Sequence, residues 1–476
     1  MSNHRLLQGA KKSKEIILLI PILILAISLT LYPHLNYPYP LHVDEWFHIA
    51  EAKQIASNSK IDWFTGEKFN LGMERAWHLS LALIYLIFKP TVKQWIYLPA
   101  TMHAISILAI FCFVSRLYGK KEALFSSLLI ALLPSNITMG GPVFLMPVNL
   151  SLIFIPIALL FAFELVKIKK IYNYFFLFLT STFLLYAHPP TALVLILILG
   201  IYLLILIFSR EKTKALYLFV TMASSILLSL PNYIYFLHER GSEIKFNFWV
   251  YLQGIPLLFG IIPTLFFILG TYFVLRDWEK RDLSLLITSL ILILNILFFT
   301  GKGFTYLLPY QRTFIPLFLI MSVIAGRGCA KLLGIRKPVK KAGLAILMIL
   351  LAITICSGIE KNISEKYYHL IDDEDYESFL WLKGSIPKNA TVLLDPWKAR
   401  AFPAIAERKV YAVMPFGPNE EEMERVERAR AFLKNECTNT SFLVDNNISV
   451  VYTKDGCQNE ELIKVRENIY VLKGFG

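Results

Sequence analysis

The stretch that decides the fold is IYNYFFLFLTSTFLLYAHPPTALVLILILGIYLLILIF, residues 171–208. It holds two apolar runs, near 171–187 and 190–208, on either side of a His-Pro-Pro turn. An α-helix needs about 20 apolar residues to cross the hydrocarbon core of a bilayer, and only a helix or a closed barrel satisfies every backbone polar group there. The two runs are therefore predicted to be consecutive transmembrane helices.

Runs of this kind recur between residues 15 and 357. Hydrophobic residues make up 56% of the chain and the mean hydropathy is +0.54, which exceeds the values typical of soluble domains. The sequence predicts a mainly α, polytopic membrane protein whose first run is an uncleaved anchor and whose run at 122–135 is short. About eleven spans are expected, near 15–32, 95–116, 122–135, 143–166, 171–187, 190–208, 215–236, 254–275, 283–300, 312–326 and 342–357.

The basic residues indicate how the chain is oriented. They account for a formal net charge of +13, and they concentrate in alternate connections, at 5–14, 116–121, 167–170, 210–214, 276–281 and 327–341. Cytoplasmic loops are the ones that carry excess Lys and Arg, so the N-terminus is predicted to be cytoplasmic and the C-terminus extracellular. This placement fits a multi-pass protein of a prokaryotic plasma membrane and gives no support for nucleic-acid binding.

Two of the predicted outer regions are large. The loop 33–94 contains a short apolar stretch, Ala76–Phe88, interpreted as an interfacial or re-entrant helix. The tail 358–476 mixes strand-like TVLLD with helix-like NEEEMERVERARAFLKN, which predicts a small α/β domain. The predicted domains are thus residues 1–357, with the first outer loop, and residues 358–476. Cys437 and Cys457 could form a disulfide in this tail if it lies outside the cytosol.

Adjacent carboxylates lie about a dozen residues after the first span. Asp44 and Glu45 stand in PYPLHVDEWFHIAEAKQIA, residues 38–56, where a helix is expected to begin near Asp44. Free backbone N–H groups and the helix dipole hold such a carboxylate ionised and oriented, as a general base requires. Acidic residues are also favoured in a first helical turn for stability alone, so this structural interpretation stays open.

Cations and histidines at the predicted outer face provide further candidate ligands. Arg312 stands at the mouth of a span in TGKGFTYLLPYQRTFIPL, residues 300–317, with Lys302 ten residues earlier. An Arg there can bind a lipid-linked phosphate through its planar fork, or it can simply reach the lipid headgroups. His188 lies at the outer turn and could donate to a phosphate or merely cap a helix. The other candidates are His48, Arg75 and His78.

These residues together resemble the GT-C superfamily of membrane glycosyltransferases. The similar parts are HVDEWFHIAEAKQI (42–55), the segment from 75 to 124, YQRTFIPLFLIMSVIAG (310–326) and VLLDPWKARAFPAIAERKVYAV (392–413). In that family an acidic pair follows the first span, an interfacial segment and a basic turn come next, a late arginine stands at an outer mouth, and archaeal members carry a small outer domain. Protein O-mannosyltransferases, lipid A aminoarabinose transferases and oligosaccharyltransferase subunits belong to it.

The resemblance implies a function and roles for the candidates. The chain is expected to transfer a sugar, with inversion, from a polyprenyl or dolichyl phosphate to a lipid-linked glycan, glycolipid or protein acceptor. Asp44 would be the catalytic base, Glu45 a supporting acid and Arg312 a ligand of the donor phosphate, with Lys302 and His188 as further phosphate ligands. A phosphate leaving group held by a cation needs little general-acid assistance.

Two departures from the family pattern concern metal dependence. The turn PSNITMGGPVFLMPVN (134–149) has no carboxylate where several members place a second acidic motif, and the tail lacks the Trp-Trp-Asp signature of oligosaccharyltransferases. Both favour a metal-independent monosaccharide transferase. We therefore expect no cofactor and no metal ligands, although dependence on Mg²⁺ or Mn²⁺ is an open alternative.

Other functional classes make different demands on the sequence. A transporter or a flippase for lipid-linked glycans would need polar groups deep in its spans or broken helices in an internal repeat, and the sequence shows no repeat. A non-catalytic scaffold that displays the tail is a third class. No P-loop, dinucleotide fingerprint, zincin motif or Cys-x-x-Cys is present, so ATP-driven, NAD-linked and zinc-dependent mechanisms have no support in the sequence.

Overall fold

The structure is a computed structural model that describes residues 2–236, 254–302, 308, 310–332, 340–415 and 419–474. The chain divides into two compact units, of which the first comprises residues 1–38 and 96–366 and the second residues 39–95 and 367–476. The residues between the first two predicted spans therefore group with the C-terminal region, whereas the domain division predicted from the sequence had placed them with the spans.

The described part of the first unit is built from long apolar helices. These are α1 (Ser2–Leu31), α4 (Tyr97–Leu117), α5 (Lys120–Ala131), α6 (Leu150–Lys167), α7 (Ile171–Ala187), α8 (Pro189–Phe208), α9 (Lys212–Phe236), α10 (Gly254–Phe259), α11 (Ile261–Asp277), α12 (Lys280–Lys302), α13 (Tyr310–Leu332) and α14 (Lys340–Ser364). Helices α2 (Val43–Ala56) and α3 (Arg75–Phe88) belong to the second unit.

Every predicted span overlaps a helix, and the mainly α, multi-pass membrane class is confirmed. Helix α6 begins only at Leu150, seven residues into the predicted span 143–166. Among the described residues, eight helices are long and apolar enough to cross a membrane. The remaining predicted spans correspond to α5, α7 and α11, which have 12, 17 and 17 residues. The predicted span 254–275 is interrupted at Gly260, whose φ of +105° separates α10 from α11.

Helix α13 lies at the centre of the first unit. Residues 313–330 of this helix are all buried. Two glycines let it approach α11 at backbone distance, because a Cβ at Gly270 would lie 2.0 Å from the Ile324 carbonyl oxygen and one at Gly328 would lie 2.4 Å from that of Phe266. Small residues at such crossings are the usual means of close packing between helices in a membrane.

The second unit joins the first outer loop to the tail. Its helices are α2 (Val43–Ala56), α3 (Arg75–Phe88), α15 (Asp373–Ser385), α16 (Phe402–Ala406), α17 (Glu420–Lys434) and α18 (Thr440–Asp445). Its strands are β1 (Thr391–Leu393), β2 (Lys409–Val410), β3 (Val450–Tyr452), β4 (Leu462–Arg466) and β5 (Ile469–Leu472). The predicted α/β character of the tail is thereby confirmed.

The five strands form one mixed sheet in the order β2-β1-β3-β5-β4. Strand β1 pairs in parallel with β2 and β3, and β5 runs antiparallel to β3 and β4. The strand residues Val392, Val410, Val450 and Val451 are buried, as expected for short β-branched runs covered by helices. Cys437 and Cys457 form a disulfide beside the core of this sheet.

Backbone and side-chain contacts fasten the loop residues to the tail within this unit. The Val410 N–H donates to the Trp63 carbonyl at 3.0 Å, and the Tyr368 N–H donates to that of Leu41 at 3.1 Å. The buried Lys53 ammonium donates to the Ala404 carbonyl at 2.6 Å and lies 3.6 Å from the Glu407 carboxylate. Helix α2, which carries the predicted acidic pair, is thus held against the C-terminal residues.

Candidate functional site

The acidic pair lies in the first turn of α2, whose start is fixed by a reciprocal cap. His42 is the N-cap, and its Nδ1 accepts a hydrogen bond from the Asp44 N–H at 3.1 Å. Glu45 completes the cap, because its Oε2 accepts from the Leu41 N–H at 2.8 Å and from the His42 N–H at 2.9 Å. The Glu45 side chain is buried, so its observed contacts are those of a helix cap.

Asp44 has different surroundings from its neighbour. Its side chain is 17% exposed, and one carboxylate oxygen lies 3.8 Å from Nδ1 of His42. Asp44 also attracts the Arg400 guanidinium electrostatically. Burial lowers the pKa of Arg400 to about 10, and the charges of Asp44 and Glu422 act in the opposite direction. Asp44 is therefore the member of the pair that combines partial exposure with a cationic neighbour.

Arg400 was not identified from the sequence. It ends a short 3-10 turn, Lys398–Arg400, and its guanidinium donates to the Met414 carbonyl. The sequence feature that could have indicated Arg400 is its position between two alanines, Ala399 and Ala401, within a largely apolar stretch. An arginine in such a setting is buried and hence needs partners, although the sequence does not tell which partners they are.

A cavity of about 150 Å³ lies beside Arg400 within the second unit. Phe47 from α2 lines it, and its charged lining residues are Asp62, Arg400, Glu422 and Arg425. An aromatic ring together with carboxylate and guanidinium groups is a suitable lining for a polar ligand with an apolar face, such as a sugar.

Three of the remaining candidates lie where α2 meets α3. Nδ1 of His48 is 2.9 Å from Nε2 of His78, and both side chains are buried. Glu74, the N-cap residue of α3, lies beside them, so that one ligand atom from each of the three residues falls within 4.8 Å of the others. Burial lowers the pKa of His78 to about 4, so its imidazole is neutral near pH 7. Arg75 is the first residue of α3, and its Nε has no hydrogen-bond partner among the described residues.

The first unit brings His188 and Arg312 together. His188 is the N-cap of α8, with its Nδ1 2.7 Å from the Thr191 hydroxyl and accepting from the Thr191 N–H at 3.3 Å. Burial, and to a lesser extent the positive charge of Arg312, lower the pKa of His188 well below its usual range. Arg312 stands in the first turn of α13. Lys302 is the last residue of α12, and its side chain lies outside the described part of the structure.

Comparisons with solved structures reveal a clear likeness over nearly the whole chain. The apo oligosaccharyltransferase of Archaeoglobus fulgidus aligns over 93% of this chain and 70% of its own, with 11% identity and a TM-score of 0.66. The oligosaccharyltransferase AglB of that organism, in complex with an inhibitory peptide and a dolichol-phosphate, aligns over 93% and 69%, with 11% identity and a TM-score of 0.63. ArnT from Cupriavidus metallidurans bound to undecaprenyl phosphate aligns over 96% and 97%, with 12% identity and a TM-score of 0.56.

The likeness is one of fold. Both kinds of protein are GT-C membrane glycosyltransferases, so the resemblance stated from the sequence is confirmed at this level. The sequence matches no protein-family model and no curated protein. At 11–12% identity the alignment does not carry over the role of any residue, and the candidates therefore depend on their own geometry.

Proposed function

We propose that this protein is an inverting glycosyltransferase that moves a sugar from a polyprenyl-phosphate donor to an acceptor hydroxyl or amide on the outer face of the plasma membrane. The observation that carries the proposal is Asp44, a partly exposed carboxylate fixed by the cap of α2 and attracted by Arg400. The GT-C-like fold supports the proposal, because two similar solved structures contain a bound lipid phosphate, dolichol-phosphate in one and undecaprenyl phosphate in the other.

Asp44 acts as the general base. Its carboxylate takes the proton from the acceptor group, whose oxygen or nitrogen attacks the anomeric carbon of the sugar. The bond between that carbon and the phosphate oxygen breaks, and the polyprenyl phosphate leaves with the bonding electron pair. Attack from the side opposite the leaving group inverts the anomeric configuration. Glu45 holds the start of α2 and thereby positions Asp44.

Arg312 supplies the positive charge for the donor phosphate, and Lys302 is a further ligand. A guanidinium binds two phosphate oxygens at once, and it stabilises the charge that develops on the leaving group. Because His188 is buried and its pKa is lowered, it contributes a neutral imidazole and the cap of α8. We place the N-terminus in the cytoplasm, as the distribution of the basic residues predicts.

The decisive experiment compares Asp44→Asn with Glu67→Gln in protein reconstituted into lipid nanodiscs. Glu67 is an exposed carboxylate of the same loop, so its variant controls for the loss of one negative charge. Each sample receives a panel of radiolabelled polyprenyl-phosphate sugars and a membrane extract as the source of acceptors. We expect transfer by the unmodified chain and by Glu67→Gln, and a loss of at least about 100-fold in Asp44→Asn, as is usual for a general base.

Two outcomes of this experiment would contradict the proposal. Retained transfer in a folded Asp44→Asn variant would remove Asp44 from the chemistry. Movement of the labelled lipid across the bilayer, without transfer of its sugar, would instead favour a flippase or transporter.

A further inference from the structure

The contact between α2 and α3 contains a set of side chains that the proposed reaction does not use. His48 comes from the middle of α2, whereas Glu74 and His78 lie one turn apart at the start of α3. The two histidine side chains are 4% and 3% exposed, and Glu74 is half-buried. One nitrogen of each imidazole and one carboxylate oxygen lie within 4.8 Å of one another.

The types of these three ligands select the kind of ion. Two imidazole nitrogens and one carboxylate oxygen are the ligands of Zn²⁺ and similar transition metals, whereas Mg²⁺ and Ca²⁺ prefer sites made of oxygen atoms alone. Three protein ligands leave a fourth tetrahedral position for water. The spacing also fits, because nitrogen atoms about 2.0–2.1 Å from one zinc ion lie a little more than 3 Å apart in a tetrahedral site, and the two histidine nitrogens here are 2.9 Å apart.

We propose that His48, Glu74 and His78 bind one divalent transition-metal ion of the zinc class. The simpler interpretation is a hydrogen bond between two neutral imidazoles. It leaves unexplained that Nδ1 of the buried His78 has no hydrogen-bond partner among the described residues. An ion at Nε2 would hold that ring firmly.

The position of the site suggests what the ion does. His48 follows Asp44 by four residues on α2, so both side chains lie on the same face of the helix. Arg75 is next to Glu74 at the start of α3. An ion that joins these two helices would fix the start of α2 relative to α3 and so position Asp44. Asp44 itself is not among the three ligands.

The test measures the metal directly and needs no enzymatic activity. Untagged full-length chain in detergent is stripped with a chelator, incubated with equimolar Zn²⁺ or Co²⁺, desalted and analysed by elemental mass spectrometry. We expect about one ion per chain, Co²⁺ absorption bands of a tetrahedral site, and no retention of Mg²⁺. The variants His48→Gln, His78→Gln and Glu74→Gln should each lower the affinity at least tenfold.

Two further variants keep the result interpretable. His369→Gln removes an exposed histidine of the same unit and should bind the ion as the unmodified chain does. Glu74→His replaces one metal ligand with another and should retain Co²⁺ with a shifted spectrum, while Glu74→Gln loses it. Size-exclusion and thermal-unfolding profiles confirm that each variant is folded. If the stripped and reloaded chain retains no ion, or if folded Gln variants bind as tightly as the unmodified chain, the site does not exist.

The metal proposal and the proposed function can fail separately. Zinc binding without any sugar transfer would leave the metal site intact and reject the enzyme. Sugar transfer by a chain that binds no zinc would do the reverse.

Discussion

Two arginines at opposite ends of α13 have contrasting surroundings. Arg327, near the C-terminal end, is buried and donates to the carboxylates of Asp277 and Asp282. Arg312, in the first turn, has the buried and neutral His188 as an electrostatic neighbour. An arginine enclosed by two carboxylates has its charge and hydrogen bonds matched by the protein. Our proposal assigns Arg312, at the other end of the helix, to the phosphate of the donor.

The comparison also bears on sidedness. The residues around Arg327 come from connections that the sequence predicts to be on one side of the membrane. Tyr118 donates to Asp282 at 2.9 Å, and Arg281 donates to the Leu117 carbonyl at 3.3 Å. These contacts bring together one end of α4, α12 and α13, as the alternation of basic loops requires. We infer that the Arg327 cluster is structural and that the function depends on the other end of α13.

The largest expected effect is the loss of stability in Arg327→Met. Removing the guanidinium takes from the buried Asp282 carboxylate the nearer of its two arginine partners, the other being Arg281 at 3.7 Å, and breaking a buried pair costs up to about 3–5 kcal/mol. We expect a marked fall in the unfolding temperature measured in detergent by intrinsic fluorescence. Arg276→Met is the matched control, because Arg276, like Arg327, pairs with Asp277. The Arg276 side chain is half exposed, so its loss should cost at most about 1 kcal/mol.

A double variant sharpens this result. Asp282→Asn together with Arg327→Met removes both charges of the buried pair, so part of the stability should return relative to Arg327→Met alone. If the double variant is less stable than the single one, the cost does not come from an unpaired carboxylate, and the structural role that we assign to Arg327 would need revision.

The next effect concerns Arg312 and should appear in activity, with stability unchanged. Loss of one cationic donor at a developing negative charge lowers a rate by about 10²–10³-fold. Arg312→Ala should therefore depress sugar transfer by that factor, with Arg312→Lys intermediate because it keeps the charge and loses the fork. Gln311→Ala, a change at the preceding position of the same helix, is the control. Equal transfer by Arg312→Ala and Gln311→Ala would mean that the two ends of α13 do not differ in the way proposed.

The sequence predicted the helical segments well because their signal is local. Each span is predicted by its own apolar run, and the start of α2 is predicted by the acidic pair at Asp44 and the residues next to it. The break at Gly260 was not predicted, since an apolar run of this length has the same pattern whether it forms one helix or two. The packing of Gly270 and Gly328 against carbonyl groups of other helices was equally invisible, because it depends on which helices become neighbours.

The candidate site shows the same limit. The sequence singled out His48 and His78 separately but could not pair them, since they lie thirty residues apart and meet only through the packing of α2 on α3. It also expected no metal ligands, because the turn 134–149 has no carboxylate and the tail has no Trp-Trp-Asp signature. Arg400 comes from the tail, and the assembly of the second unit brings it within electrostatic range of Asp44, which is distant in the sequence.

A smaller effect should come from Glu51 and appears as a dependence of stability on pH. Burial, reinforced by the charge of Asp62, raises the pKa of Glu51 to about 8 in the folded chain, above its ordinary value of 4.5. A group whose folded pKa is raised stabilises the fold below its unfolded pKa and loses that contribution as the pH rises through the folded pKa. Between pH 7 and pH 9 this loss is about 1 kcal/mol.

The variant Glu51→Gln isolates this contribution. Lys53, whose pKa burial lowers to about 8, titrates over the same range, so the difference between the unmodified chain and Glu51→Gln is the useful quantity. Chemical unfolding at pH 7 and at pH 9 gives the free energy of unfolding of both proteins. Relative to the unmodified chain, Glu51→Gln should be more stable at pH 9 than at pH 7. A difference that is the same at both values would show that Glu51 does not titrate in this window.

The smallest expected effect is that of replacing Glu45. Glu45 and Asp44 are neighbours in the sequence but have different partners, as Arg312 and Arg327 do. Glu45→Ala removes the acceptor for the Leu41 and His42 N–H groups and should cost about 0.5–2 kcal/mol, the usual loss at a helix cap. Glu45→Gln keeps a carbonyl oxygen that can accept the same bonds.

If Glu45 only caps α2, Glu45→Gln should retain most of the stability and most of the transfer, whereas Asp44→Asn loses transfer. If Glu45 is instead a supporting acid, as the family resemblance implied, Glu45→Gln should lose transfer as fully as Glu45→Ala while remaining stable, because an amide cannot exchange the proton. Transfer rates and unfolding free energies of the two Glu45 variants, measured side by side, decide between a cap and an acid.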